Sequence, residues 1–192
     1  VGRLDRELRI EGPSLLAIHL TLAHWPYSWA GQPMPSNPPE FRPAYRRALT
    51  EVDRQFADVV ELLRKKGALD NALVVVLSDH GEALGFKSDS MLRQTGTENE
   101  IWDSLWGHGT SVMSPHQYSV VLAMRGMGRA AIPGTPSVHD WPVDLDDVRP
   151  TLEELVTGKA PVRVDGISLV PYLTDGARAS ELRPGEAEVL VR

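Results

Sequence analysis

The stretch Leu73-Val74-Val75-Val76-Leu77-Ser78-Asp79-His80-Gly81-Glu82 decides the reading of this chain. An uninterrupted apolar run of Leu and Val suits a strand buried on both faces, as in the parallel sheets of α/β proteins. The run stops at an adjacent acid and imidazole, Asp79 and His80, followed at once by a glycine. In open α/β sheets, ligands gather just beyond the carboxyl ends of the strands. A hard carboxylate oxygen beside an imidazole nitrogen is a donor pair for a divalent metal. The competing interpretation is a plain strand-ending turn, because Ser, Asp and Gly all favour turns.

Working outward, Leu69-Asp70-Asn71 forms the turn into this strand, and Gly67 caps a preceding amphipathic helix. Tyr45, Leu49, Val52, Phe56, Val59, Val60 and Leu63 recur at spacings of three and four, which predicts one apolar helical stripe. Lys65 and Lys66 complement the negative end of that helix. Pro43 suits its first turn. Before it runs a long stretch with Pro26, Pro33, Pro35, Pro38, Pro39 and Pro43, where the prolines argue against helix or central strand. Trp25, Tyr27 and Trp29 stand near its start, and irregular stretches this long are usually functional. Leu15 to Leu20 is expected to be a first buried strand, entered through Gly12-Pro13. The sum is a βαβ unit with two parallel strands, so that His24 and Asp79-His80 end on one sheet edge.

Downstream, residues 81 to 117 are polar and glycine-rich, with Trp102 and Trp106 as apolar anchors. Ser119 to Met124 suits another buried strand. Pro150 opens a helix running to about Val156 and capped by Gly158, and Val164-Asp165-Gly166 makes a turn before Ile167 to Leu173.

The bulk numbers set limits. With 192 residues, 42% hydrophobic and 24% charged, the chain is an ordinary globular one, long enough for one core. A net charge of -6 with no basic stripe argues against nucleic acid as a partner. Cysteine is absent, which removes disulfides and thiolate chemistry from the chain. No apolar run approaches the roughly 18–20 residues of a membrane span. Val1-Gly2-Arg3 lacks an initiator Met and a signal region, and Glu188-Val189-Leu190-Val191-Arg192 has the look of a strand in mid-course, so a piece of a longer protein is expected.

Four side chains stand out as carriers of chemistry. Asp79 and His80 are the candidate metal ligands. His24, in Thr21-Leu22-Ala23-His24-Trp25-Pro26-Tyr27, and His108, in Trp106-Gly107-His108-Gly109, are candidate catalytic imidazoles. The bland alternatives are a loop histidine between aromatics and a flexible surface turn. Glu82 is expected to brace the turn by hydrogen bonds instead of ligating the metal. His19, inside the expected strand, suits a satisfied core histidine, while His116 and His139 suit surface or packing positions. No nucleophile elbow, phosphate-binding Gly-Lys-Ser/Thr loop or His-Glu-x-x-His is present, so the site is incomplete within this chain.

Taken in order, Ala23-His24-Trp25-Pro26-Tyr27, the amphipathic helix, Leu69 to Gly85, and Trp106-Gly107-His108-Gly109 resemble the sulfatase-like branch of the alkaline phosphatase superfamily. Val143 to Leu152 and Asp165 to Leu173 also resemble segments of that family, so the likeness covers roughly residues 13 to 175. The resemblance implies an α/β fold: a three-layer α/β/α sandwich, alkaline phosphatase-like, with a mostly parallel central sheet. It implies that residues 1–176 are the C-terminal portion of a catalytic domain and 177–192 the start of a truncated further element.

It further implies a metal-dependent hydrolase or transferase of sulfate or phosphate esters, with Asp79 and His80 on the metal and His24 and His108 on the anionic group. The nucleophile would lie outside this chain. Zinc or manganese fits best, with calcium and magnesium also admitted. The substrate would be a sulfated or phosphorylated small molecule, glycan or lipid head group, met on the periplasmic or extracytoplasmic side of a membrane. Two departures bear on the activity. The sulfatase signature Cys/Ser-x-Pro-x-Arg is absent, since Ser36-Asn37-Pro38-Pro39-Glu40 lacks the arginine and lies on the wrong side of the helix. Many sulfatases also carry lysine where this chain has His108, and histidine there resembles the phosphoethanolamine and phosphoglycerol transferases. A lipid- or protein-binding relative without catalysis is the alternative of a different class.

Overall fold

The computed structural model describes residues 2–86, 89, 106–109, 114–130, 138 and 142–174. The longest element is helix α2, Pro38–Lys65, preceded by a short α1, Gly2–Glu7. α2 starts at Pro38, earlier than the start near Pro43 expected from the sequence. Pro38 and Pro39 occupy its first two positions, where no N–H is needed, and Asn37 is the extended residue before them. Pro43 lies inside the helix. The face of α2 that packs runs through Ala44, Ala48, Val59 and Leu62, whereas Leu49 and Phe56 of the expected stripe are exposed. At the other end Lys66 and Gly67 donate back to Leu62 and Arg64, with Gly67 in the left-handed region, as the capping signal predicts.

Strand β1, Asn71–Leu77, ends where the sequence says it should. Its surroundings differ. β1 pairs with β4, Leu122–Gly128, antiparallel, from Asn71↔Gly128 to Leu77↔Leu122. Leu15 to Leu20 forms no strand, and Leu15, Leu16 and Ile18 are exposed, as is His19. The parallel βαβ pair and the core histidine are therefore not found. An apolar run makes a strand only when a neighbour supplies ladder hydrogen bonds, and none does so for 15–20 among the described residues. For the same reason β1 is half-buried, not covered on both faces, and Val76 and Leu77 are exposed. The mostly parallel sheet is likewise not seen: both described sheets are two-stranded and antiparallel, the second joining β2, Ala83–Leu84, to β3, Trp106–Gly107. The class, mixed α and β, stands.

The helix Pro115–Tyr118, α3, precedes β4, which begins three residues later than the strand expected from Ser119. A 3-10 turn, Leu145–Asp147, leads into α4, Val148–Thr157, closed by Gly158 in the left-handed region, and α5 spans Val170–Thr174. Two segments far apart in sequence are stapled here. The fully buried Asp147 carboxylate accepts from the Ile167 N–H at 2.8 Å and the Asp144 N–H at 3.0 Å. Thr151 donates to the Asp147 carbonyl and accepts from the Leu169 N–H at 2.7 Å. Leu169 and Tyr172 then pack with Leu122 and Met124 of β4, Val143 and Ile167. Trp102, His139 and residues 177–192 lie outside the described residues. Among the described residues no helix is long and apolar enough to cross a membrane.

Candidate metal and anion site

The turn after β1 is held from behind. Ser78 exchanges hydrogen bonds with Val121, its N–H reaching the Val121 carbonyl at 3.1 Å and its hydroxyl accepting from the Val121 N–H at 2.9 Å. The Gly81 N–H donates to the Gln117 carbonyl at 2.9 Å. A Cβ on Gly81 would stand 2.1 Å from the His116 carbonyl oxygen, so only glycine allows the two backbones to meet. Asp79 projects outward, its side chain 79% exposed, and its Oδ1 accepts from the His80 N–H at 3.1 Å.

His24 arrives from the proline-rich stretch, in two tight turns closed by His24 N–H to Thr21 and Tyr27 N–H to His24. His108 follows Gly107 at the end of β3. The three imidazoles converge. His80 and His108 stack with centroids 3.8 Å apart at 26°, and His24 meets His108 edge-on at 5.4 Å and 67°. Asp79 borders the cluster, 3.7 Å from His80 Nε2.

Each ring has its Nδ1 beside an oxygen acceptor: Trp25 O at 2.7 Å for His24, Gly81 O at 2.7 Å for His80, and Glu82 Oε2 at 2.9 Å for His108. A carbonyl or carboxylate can only accept, so the proton belongs on Nδ1 in all three, leaving Nε2 for a ligand. Tautomer locking of this kind is the usual support of metal-binding and anion-binding histidines.

Glu82 is enclosed, its side chain 6% exposed. Its second oxygen, Oε1, accepts from the Tyr27 hydroxyl. Burial and the Glu82 charge push the Tyr27 phenol far above its ordinary range, and the same two causes raise Tyr45. Tyr27 is 1% exposed although its φ is 59°. Left-handed backbone costs a residue with a Cβ about 1–2 kcal/mol. Burying a large apolar ring returns roughly 1.5–3 kcal/mol, and a buried hydroxyl bonded to a carboxylate adds to it, so the conformation holds. The ring packs against Ala44 and Ala48 of α2 and meets Trp25 and Tyr45 edge-on at 5.3 and 5.1 Å. Phe41 continues the cluster to Trp25 and Trp106.

The donor chemistry suits a divalent cation in two overlapping ways. Asp79 Oδ1 and His80 Nε2, 3.7 Å apart, are one donor set. His80, Glu82 and His108 also present ligand atoms all within 4.8 Å of one another. Both Glu82 oxygens already accept hydrogen bonds, which fits Glu82 as the brace of His108. Two open cavities lie away from the site: one of about 570 Å³ between α1 and Lys66, and one of about 410 Å³ between Leu77 and α4.

Tyr27 is the residue that sequence reasoning passed over as an aromatic of the loop. A tyrosine three positions after a candidate histidine, with an acid at Glu82 that needs a donor, is the signal that could have found it. Arg42 was also missed. It donates to the Leu84 and Gly85 carbonyls at 2.8 and 2.6 Å and lies over the Phe86 ring, latching the β2–β3 hairpin to α2. His116, treated as a surface or packing residue, is partly exposed and pairs with the buried Asp89 at 3.7 Å.

Comparison with known proteins now defines the class. The Sulfatase family model matches residues 5–156, and the chain belongs to that family, an ester hydrolase-type family of α/β fold. Among curated relatives, it is 27% identical over 137 residues to the multifunctional alkaline phosphatase superfamily protein PehA of Trinickia caryophylli, covering 71% of this chain and 23% of that protein. It is 29% identical over 143 residues to the choline-sulfatase of Rhizobium meliloti (strain 1021), covering 73% of this chain and 23% of the relative. The chain thus spans about a quarter of the length of these relatives. No solved structure matches it.

Proposed function

We propose that this chain supplies one wall of the active site of a metal-dependent enzyme that cleaves or transfers sulfate or phosphate esters. The carrying observation is the convergence of His24, His80 and His108, distant in sequence, each ring held through its Nδ1 by an acceptor oxygen. Asp79 and His80 would hold the divalent ion, zinc or manganese by donor type. Such an ion, when bound, supplies Lewis acidity toward a hydroxyl nucleophile and an ester oxygen. His24 and His108 offer Nε2 to the non-bridging oxygens of a tetrahedral anion, fixing its orientation for in-line attack. The nucleophile comes from outside this chain. The family membership and the two relatives support the reaction class. The histidine at 108, where many sulfatases carry lysine, is our ground for favouring phosphate esters over sulfate.

The test is metal content and turnover of the protein carrying this chain. The wild type should retain a divalent metal and Asp79→Ala should lose it, with phosphodiesters turned over alongside or ahead of aryl sulfates. Negligible metal in both proteins would remove the basis of the proposal. Turnover of sulfate esters alone would overturn the preference assigned to His108.

A further inference from the structure

His24 and His80 are aimed by the backbone carbonyl next to each of them, whereas His108 is aimed by a side chain. Its Nδ1 partner, Glu82, is 26 positions away, and Glu82 is in turn held by Tyr27, 55 positions away. The geometry points to Tyr27 as a positioning residue: through Glu82, its hydroxyl fixes His108 as the Nδ1–H tautomer and orients Nε2 toward the anion. This rests on the reading of His108 given above.

Three observations carry the chain of cause. The Tyr27 hydroxyl faces Glu82 Oε1, and a carboxylate can only accept, so Tyr27 is the donor. A carboxylate accepting from Tyr27 at Oε1 keeps Oε2 as an acceptor, which requires the proton of His108 on Nδ1. Tyr27 also has no freedom to drift. Trp25 and Tyr45 pack edge-on against its ring, and the small residues Ala44 and Ala48 let α2 close over it. The helix thereby sets the tyrosine, the tyrosine sets the carboxylate, and the carboxylate sets the imidazole. A merely structural tyrosine would need the ring and not the oxygen.

The test removes the oxygen alone. Histidine is labelled with 15N, and long-range correlation spectra are recorded on the metal-free protein above the imidazole titration range, with His108 assigned by difference. Wild type should show His108 protonated at Nδ1. Tyr27→Phe should keep the wild-type circular dichroism yet show His108 as mixed tautomers, with His24 and His80 unmoved. In the metal-loaded protein its kcat should fall about tenfold, the scale of one hydrogen bond to a charged group, with KM little changed. Glu82→Gln should mix the tautomers further and cost more, roughly tenfold to a hundredfold, as outer partners of site histidines do. Wild-type His108 protonated at Nε2 would overturn the inference. So would a Tyr27→Phe protein whose His108 spectrum and kcat match wild type or, were that variant unfolded, a Glu82→Gln protein with an unaltered His108. The expected spectra in a protein that turns over no ester would leave this inference standing and remove the reaction proposed above.

Discussion

The Asp147 staple makes the strongest quantitative prediction. Asp147 is fully buried and accepts two backbone N–H groups, Ile167 at 2.8 Å and Asp144 at 3.0 Å. Asp147→Asn keeps the shape but replaces one acceptor oxygen by an NH2 group. Whichever way the amide turns, one of the two N–H groups then faces a donor. A hydrogen bond to a charged group is worth about 1.5–3 kcal/mol, and a buried group left unpaired adds about 1–3 kcal/mol. Allowing for partial relaxation, the loss should be about 3 kcal/mol. For a chain of this size 1 kcal/mol moves Tm by roughly 2–4 °C, so Tm should fall by roughly 6–12 °C. Thr151→Val removes the acceptor of the Leu169 N–H, and should cost about 1–2 kcal/mol. Because both substitutions cut one staple, the double variant should lose less than the sum. Chemical denaturation with unchanged m-value is the assay. An Asp147→Asn loss below about 1 kcal/mol, or strict additivity with Thr151→Val, would refute the argument.

Two further outcomes follow from local geometry. Gly85 has φ +69°, and a Cβ there would lie 2.1 Å from the Trp106 ring. Gly85→Ala should therefore displace Trp106, cost at least about 2 kcal/mol and red-shift tryptophan emission; an unshifted spectrum at wild-type stability would contradict the packing. The Glu40 carboxyl is held below its ordinary range by the Ser36 N–H and then by the Asn37 side chain. A depressed folded pKa means its contribution is fully present above the unfolded glutamate value and is lost as pH falls through the folded one. Carbon-13 titration should place its midpoint below that of a peptide glutamate, and a midpoint at or above that reference would count against the Ser36 and Asn37 hydrogen bonds to Glu40.

The parts of the fold that sequence revealed are those fixed by neighbours along the chain. The end of β1 at Leu77, the Gly67 and Gly158 caps and the helix through Pro150 depend on local chemistry. What it could not show depends on partners. Leu15 to Leu20 has the composition of a strand, but only an edge to pair with makes it one, and composition does not state the direction of pairing between β1 and β4. The start of α2 was misjudged because two prolines were weighed as helix breakers when they stood at its first turn. For the site, the residue types at 24, 79, 80, 82 and 108 were all legible. The relay through Tyr27 was not, since a hydrogen bond across 55 positions leaves no periodic trace.

Asp89 joins the two elements that carry the stacked imidazoles. Its Oδ2 accepts the Leu84 and Phe86 N–H groups at 2.8 and 2.7 Å, and Leu84 pairs with Trp106, just ahead of His108. Its Oδ1 lies 3.7 Å from His116 Nε2, and the His116 carbonyl backs Gly81, next to His80. One buried carboxylate thus links the mountings of both rings, so a displacement of either is passed to the other and the pair keeps its spacing as a unit.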